Sequence, residues 1–268
     1  MTIFSLFLFP SPPSLFIKSM SLLSFLSLIA FGYMEMTGKN AQYAKFFYTG
    51  SSKKSKNSEN RKMLSKYGML VSYTPPFIAC LAALAILPRQ DLRFNMVSCV
   101  LTLHFFKRIL EVIFVHKFSG FIMVDTAIAF GVIYFGSTST MIYAQYLSLG
   151  LHEPVVDLKY VGIVVFLTGI IGNFYHHYIL SSLRKKGDRE YKIPKGGLFD
   201  LIICPHYFFE LIMFIGVSCI SQTTYTLCFT LGDIVTLMGR SHATRKWYVS
   251  KFGETFRNDI KAIIPYLF

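Results

Sequence analysis

Negative charge is scarce in this 268-residue chain, with 14 Asp and Glu against 27 Lys and Arg. Charged residues of both signs make up only 15%, where a soluble domain carries about 25%. Hydrophobic residues make up 53%, and mean hydropathy is +0.48. A disordered chain, a collagen-like chain and an ordinary soluble globule are excluded. An integral membrane protein remains. The five cysteines are an odd number, lie in or beside apolar runs and form no CxxC. A disulfide framework or a zinc site is therefore not expected. There is no GxGxxG fingerprint; IPKGG at 193–197 is a Pro-then-Gly turn and no evidence for a Rossmann domain.

Apolar runs are plentiful. The first, Ser14 to Tyr33, follows Pro10 and Pro12-Pro13 and reads as a transmembrane helix. A cleaved signal peptide is the alternative. Against it, Lys18 falls mid-segment and no clear cleavage site follows. Further runs cover about 67–88, 94–115, 122–148, 160–181, 199–219 and 222–239. Each is near the roughly 20 residues that span a bilayer. Backbone groups in lipid must be satisfied internally, so the spans are helices. The expected fold is all-α, a polytopic membrane bundle of about seven helices. Residues 1–66 form a first helix plus a basic loop, and 67–268 form the main domain.

The net charge of +13 sits between the apolar runs, as the positive-inside rule requires, rather than in a nucleic-acid-binding patch. Residues 34–66 carry eight basic side chains against Glu35 and Glu59. Loop 182–198 and the tail 240–268 are also basic, whereas 89–93 and 149–159 are poorer in positive charge. That asymmetry predicts a cytosolic carboxy terminus. Membrane lipid is an expected partner and nucleic acid is not; oligomeric state is not legible.

Ionisable groups within apolar runs cost free energy and are functional candidates by default. In LTLHFFKRILEVIFVHKFSG, His104, Lys107, Arg108 and Glu111 share one helical face. They read as a polar cavity wall with cations for an anionic ligand, or as an Arg108–Glu111 pair that only locks helices together. Asn173, His176, His177 and Arg184 run into a basic loop and read as phosphate donors, or as snorkelling interface residues. Membrane diiron enzymes need several histidine boxes; one HH pair predicts no metal. In CPHYFFE, Pro205 suits a helix start, and His206 and Glu210 share a face beside Tyr207. That trio can position a proton, or be a buried hydrogen-bonded set. The tail, with Trp247 and Tyr248, reads as an interfacial helix.

Together these motifs resemble the steroid 5α-reductase family. The likeness runs from about Leu103 to Phe268 and rests on GNxxxHxxL at 172–180, YKIPKGGLF at 191–199, CPHYFFE at 204–210, and WYxxKF at 247–252 before KAIIPYLF. It implies a seven-helix enzyme of the endoplasmic reticulum. NADPH would be its hydride donor, held by the half from about 103 to 268. By position, the implied cofactor contacts are Arg108, Asn173, His177, Arg184, Tyr191, His206, Glu210, Arg240 and Tyr248. His177 stands where steroid reductases have Asp, and His206 where they have Asn. Those enzymes grip the 3-keto group with a Glu just ahead of a Pro; VSYTPPF offers Tyr73 and no carboxylate. Their HY motif is His104-Phe105 here. The implied substrate contacts are Tyr73, His104 and Glu111.

CPHY and the KR pair are closer to the very-long-chain enoyl-CoA reductase branch, which points to Lys107 and Tyr207. The expected catalytic residues are thus Tyr207, Lys107 and Tyr73. The resemblance implies reduction of a conjugated C=C in a lipid-soluble substrate, a 3-oxo-Δ4-steroid first. Alternatives are trans-2-enoyl-CoA and polyprenal. A membrane methyltransferase and a non-enzymatic transporter or scaffold are the readings from other classes.

Overall fold

The protein is described by a computed structural model covering residues 4–39, 46, 61–87, 91–118, 120–183 and 190–268. It is helical, with a single short ribbon among the described residues. In order come α1 (Phe4–Phe7), α2 (Leu15–Met36), β1 (Lys62–Leu64), α3 (Ser65–Ile86) and α4 (Leu92–Leu110). They are followed by β2 (Phe121–Met123), α5 (Val124–Tyr146), α6 (Lys159–Ser182), α7 (Pro205–Ser221) and α8 (Thr224–Phe252). Among the described residues, four helices are long and apolar enough to cross a membrane: α2, α3, α5 and α6. They are the helices of a membrane protein. α7 is apolar but shorter, and α4 and α8 carry the polar side chains described below.

The apolar runs foretold the helices within a few residues, except at the last two. The run at 199–219 becomes helix only at Pro205, after a 3-10 turn at Gly197–Asp200. Proline at the first helical position costs no hydrogen bond, because that N–H has no partner within the helix. α8 does not stop near 239; it continues to Phe252. Hydropathy falls at Arg240, but no helix breaker appears before Gly253, which takes a positive φ of 54°. Part of the tail read as a separate interfacial helix is therefore nearly the last half of α8. The chain beyond it returns to the start of α7: Ile203 N donates to Lys261 O at 2.9 Å and Cys204 N to Ala262 O at 3.1 Å.

α2 packs chiefly on α8, α6 on α7, and α3 on α5 and α4. Several close helix contacts require glycine. A Cβ at Gly239 would strike the backbone carbonyl of Gly32, which joins α8 to α2, and one at Gly216 would strike Phe166 on α6. α3 holds Pro75 and Pro76 in its interior. They remove two amide donors, and membrane helices tolerate this where neighbours approach. Here a Cβ at Gly131 of α5 would lie 3.2 Å from the Val71 carbonyl oxygen, one of the two freed, so glycine lets the helices approach there.

At one end of the bundle the fully buried Arg93 gathers four segments. Its Nη1 donates to Ile220 O at 2.7 Å and to Gln222 Oε1 at 2.9 Å. Its Nη2 pairs with Asp157 Oδ1 at 2.7 Å and with Glu153. Gln222 turns between α7 and α8 with φ of 50° and donates to Phe7 O at 2.6 Å and Val156 O at 2.8 Å. The sequence-predicted site residues lie nearer the other end.

Candidate active site

α4 carries Lys107 and Arg108 in its last turn, where the helix widens into a π turn over Glu111–Val115. Such turns recur at functional sites. Here it ends in His116 N donating to Glu111 O at 2.7 Å. Glu111, 1% exposed, is the hub of the site. Lys107 Nζ lies 2.8 Å from its Oε1 and Arg108 Nη1 lies 3.0 Å from its Oε2. His177 Nδ1 approaches Oε1 at 3.0 Å from α6. The same nitrogen is 3.2 Å from Arg108 Nη1, so its tautomer decides whether it donates to the carboxylate or accepts from the guanidinium.

Two cations on one carboxylate leave excess positive charge. Lys107 also donates to Asn173 Oδ1. Asn173 in turn donates from Nδ2 to the His206 carbonyl at 2.8 Å, tying α6 to the first turn of α7. The His177 and His206 rings lie 5.4 Å apart. Glu210, one turn further along α7, is within electrostatic reach of both Lys107 and Arg108.

From the other side, Arg108 Nη2 donates to the Tyr73 hydroxyl at 2.6 Å. Its guanidinium carbon sits 4.8 Å from the centre of that ring. Tyr73 is buried and stacks on Tyr134 at 5.7 Å. Its ring belongs to the apolar core while its hydroxyl belongs to the ionic cluster.

His104 does not join that cluster. One turn earlier on α4, its Nδ1 lies 3.1 Å from Met213 Sδ, and its ring lies 5.5 Å from Phe214. The four-residue face expected from spacing is thus a three-residue ionic group plus a histidine turned to α7.

Glu111, His116 and His177 have ligand-type atoms within 4.8 Å of one another. Lys107 and Arg108 occupy the same carboxylate, and their charge opposes a dication. His116 lies just past the helix, and burial followed by neighbouring positive charge pushes its pKa down to about 2.

The remaining expected residues form two further groups. Tyr191 meets Trp247 edge-on at 4.8 Å, and Trp247 lies 5.2 Å from Tyr248. Tyr207 packs against this aromatic group and sits 4.3 Å from the His206 ring. Arg240 Nη1 donates to both oxygens of Glu35, at 3.0 and 2.8 Å, and its guanidinium covers the Phe46 ring at 4.2 Å. Arg184 lies outside the described residues. Sequence reasoning passed over Glu35, counted only as loop charge, and Asp233. Both were legible as acidic residues in or beside an apolar run.

The comparisons bear on this half of the chain. A sequence profile of the 3-oxo-5-alpha-steroid 4-dehydrogenase family matches residues 117–268. The chain is 38% identical over 107 residues to a steroid 5-alpha-reductase DET2 of Gossypium hirsutum, covering 40% of this chain and 42% of that one. It is 34% identical over 127 residues to human 3-oxo-5-alpha-steroid 4-dehydrogenase 1, covering 47% and 49%. It is 32% identical over 167 residues to a very-long-chain enoyl-CoA reductase of Dictyostelium discoideum, covering 62% and 55%. The chain spans about half the length of the curated relatives it matches. The profile takes in α5 to α8 and the returning tail, and with them Asn173, His177, His206, Tyr207 and Glu210. By that match over more than half its length, the chain belongs to the 3-oxo-5-alpha-steroid 4-dehydrogenase family.

Proposed function

We propose that this protein reduces a conjugated C=C bond in a lipid-soluble substrate, with NADPH as cofactor and a 3-oxo-Δ4-steroid as first substrate. In this reading it is a seven-span protein of the endoplasmic reticulum membrane. Its polar end and carboxy terminus are cytosolic. Family membership and the printed activities of the relatives support the reaction class. The observation that carries it is the Tyr73 hydroxyl, held by Arg108 where the apolar core meets the ionic cluster.

The donor set fits a phosphate-bearing dinucleotide. Lys107 and Arg108 share the Glu111 carboxylate, and Arg240 pairs with Glu35. Asn173, His177, His206 and Glu210 supply hydrogen-bonding groups nearby, and Tyr191 and Tyr248 supply rings. Bound NADPH would supply a hydride to the β-carbon of the enone. Tyr73 then donates to the carbonyl oxygen, where negative charge develops as the double bond shifts toward the enolate. Arg108 fixes that hydroxyl and adds positive charge behind it. A proton reaches the α-carbon from solvent or a tyrosine and the carbonyl re-forms, so one hydride and one proton add across C=C. The surrounding apolar side chains keep water from the hydride acceptor. Tyr207, set among aromatic rings beside His206, is the alternative donor, and Lys107 tunes either one.

One observation favours a second reading, reduction of trans-2-enoyl-CoA. The alignment with the enoyl-CoA reductase covers 62% of this chain, further than the 40% and 47% of the two steroid reductases.

Microsomes expressing the protein, given NADPH with a 3-oxo-Δ4-steroid and a long trans-2-enoyl-CoA in competition, test both readings by product mass. A 5α-reduced steroid is the expected product. Reduced acyl-CoA alone would move the protein to the second reading. No product from either substrate would remove both and leave polyprenal as the next substrate to try.

A further inference from the structure

α2 carries one cation in its apolar length, Lys18 in the first turn. Its side chain is exposed and makes no ion pair among the described residues. Beside it is a cavity of about 270 Å³, walled by α2, the end of α5, the start of α8 and the lead-in at Phe9 to Pro12. From α2, Lys18, Ser21, Leu22 and Phe25 face it. They stand at i, i+3, i+4 and i+7, and so form one row along the helix. Seven residues at the standard rise make that row about 10 Å long. A volume of about 270 Å³ drawn out over this length is a narrow slot, the shape of a hydrocarbon chain rather than of a fused-ring molecule. Leu22 on its wall is 60% exposed, as are Leu23 and Leu26 at 58% and 53%, so the slot opens toward the lipid around this spanning helix.

The hydroxyls that line the slot are already bonded within the protein. Ser21 donates to Ile17 O at 2.8 Å and Ser148 to Ala144 O at 3.0 Å. Thr223 meets Ser221 and Thr226 at 2.9 Å each. Tyr225 meets Ser24 at 3.2 Å, and Ser11 meets Thr224 at 3.2 Å. No carboxylate is among the described lining residues. An apolar chain can therefore fill the slot without stranding a polar group, and the one charge at its end calls for an anion. A free phosphate has no chain to fill it. A zwitterionic lipid brings its own cation toward Lys18.

We propose that this slot binds one acyl chain of an anionic bilayer phospholipid, with the headgroup phosphate on Lys18. The site is separate from the reductase machinery. None of its lining residues belongs to the candidate active site, and Phe9 in its wall has the Arg93 guanidinium 5.2 Å from its ring centre, at the opposite end of the bundle. The bound chain fills an apolar void between three helices and thereby stabilises the bundle.

The test uses the purified full chain, stripped of lipid in detergent and given phosphatidylglycerol or phosphatidylcholine with the same acyl chains. Native mass spectrometry counts the lipid retained. Wild type should keep one lipid and favour phosphatidylglycerol on the order of fivefold, the usual contribution of one lysine to an anionic headgroup. Lys18→Gln should lose that preference and still retain lipid. Cys228→Phe, which fills the slot from α8, should lose lipid of both kinds. Phosphatidylglycerol should also raise the melting temperature of wild type more than that of Lys18→Gln. Lys18 is exposed, so this comparison decides the matter even where Cys228→Phe fails to fold. Equal retention of the two lipids by wild type, or a preference that survives Lys18→Gln, overturns the proposal and leaves Lys18 as an ordinary snorkelling residue. Retention by folded Cys228→Phe overturns it as well. Displacement of the lipid by a 3-oxo-Δ4-steroid would assign the slot to the substrate instead.

Discussion

Arg108 and Tyr73 meet twice over: the guanidinium donates to the hydroxyl at 2.6 Å and its carbon lies 4.8 Å from the centre of the same ring. The arginine thus fixes both the position of the oxygen and the tilt of the ring. Tyr207 packs among aromatic rings, 4.3 Å from that of His206. If Tyr73 polarises the carbonyl, Tyr73→Phe should lower kcat about 10²- to 10³-fold, the usual cost of one oxyanion donor. NADPH affinity should hardly change. Tyr207→Phe should cost less. Single-turnover rates at saturating cofactor decide the order, and the reverse ranking would give the role to Tyr207.

Glu35 and Arg240 are the second pairing that sets expectations. Both are buried, from α2 and from α8. Removing one partner strands the other, which costs about 3–5 kcal/mol in a buried pair. Arg240→Met and Glu35→Met should each lower the melting temperature markedly, and the double variant should recover part of the loss. The double-mutant cycle reads the coupling directly. If the two single losses simply add, the pair contributes no interaction energy and Arg240 is held by other contacts.

Much of this fold was legible because a bilayer imposes a long apolar run on each spanning helix. The last helix was misjudged for the same reason: hydropathy ends at Arg240, whereas the helix ends at Gly253. In the site, spacing correctly grouped Lys107, Arg108 and Glu111. It put His104 on the same face of α4, which the unbroken helix there bears out, but gave no weight to α7, on which that histidine packs. No residue pattern announced the π turn at Glu111–Val115. The partners of Tyr73 and Arg240 lie 35 and 205 positions away, and local periodicity carries no information over such distances.

The contact at Gly216 tests whether α6 and α7 hold the site together. A side chain there would strike the Phe166 backbone, and Asn173 and His177 share that helix with Phe166. Gly216→Val should separate the pair at this crossing and destabilise the protein by about 1–3 kcal/mol. Cofactor affinity should fall with it, since Asn173 would lose its bond to the His206 carbonyl. Thermal melts with and without NADPH measure both. An unchanged melt would mean that the helices adjust at no cost.

The Arg93 cluster at the opposite end gives a pH dependence of known sign. Burial raises the pKa of Asp157, but its bonds to Lys159 and the charge of Arg93 outweigh that and hold the carboxyl below its ordinary range. A carboxylate depressed in the folded state contributes stability that is fully present above its unfolded value, near 3.9. That contribution is lost as pH falls through the lower, folded value. The melting temperature should therefore be insensitive to this group between pH 7 and 5 and should fall below about pH 4. Asp157→Asn should flatten the acid-side fall while lowering stability slightly at neutral pH. Arg93→Met should do far more at every pH, because the Ile220 carbonyl and Gln222 Oε1 each lose a donor as well, the latter keeping Leu158 N. A melt of Asp157→Asn that still falls as steeply as wild type in acid would assign the transition to other carboxylates.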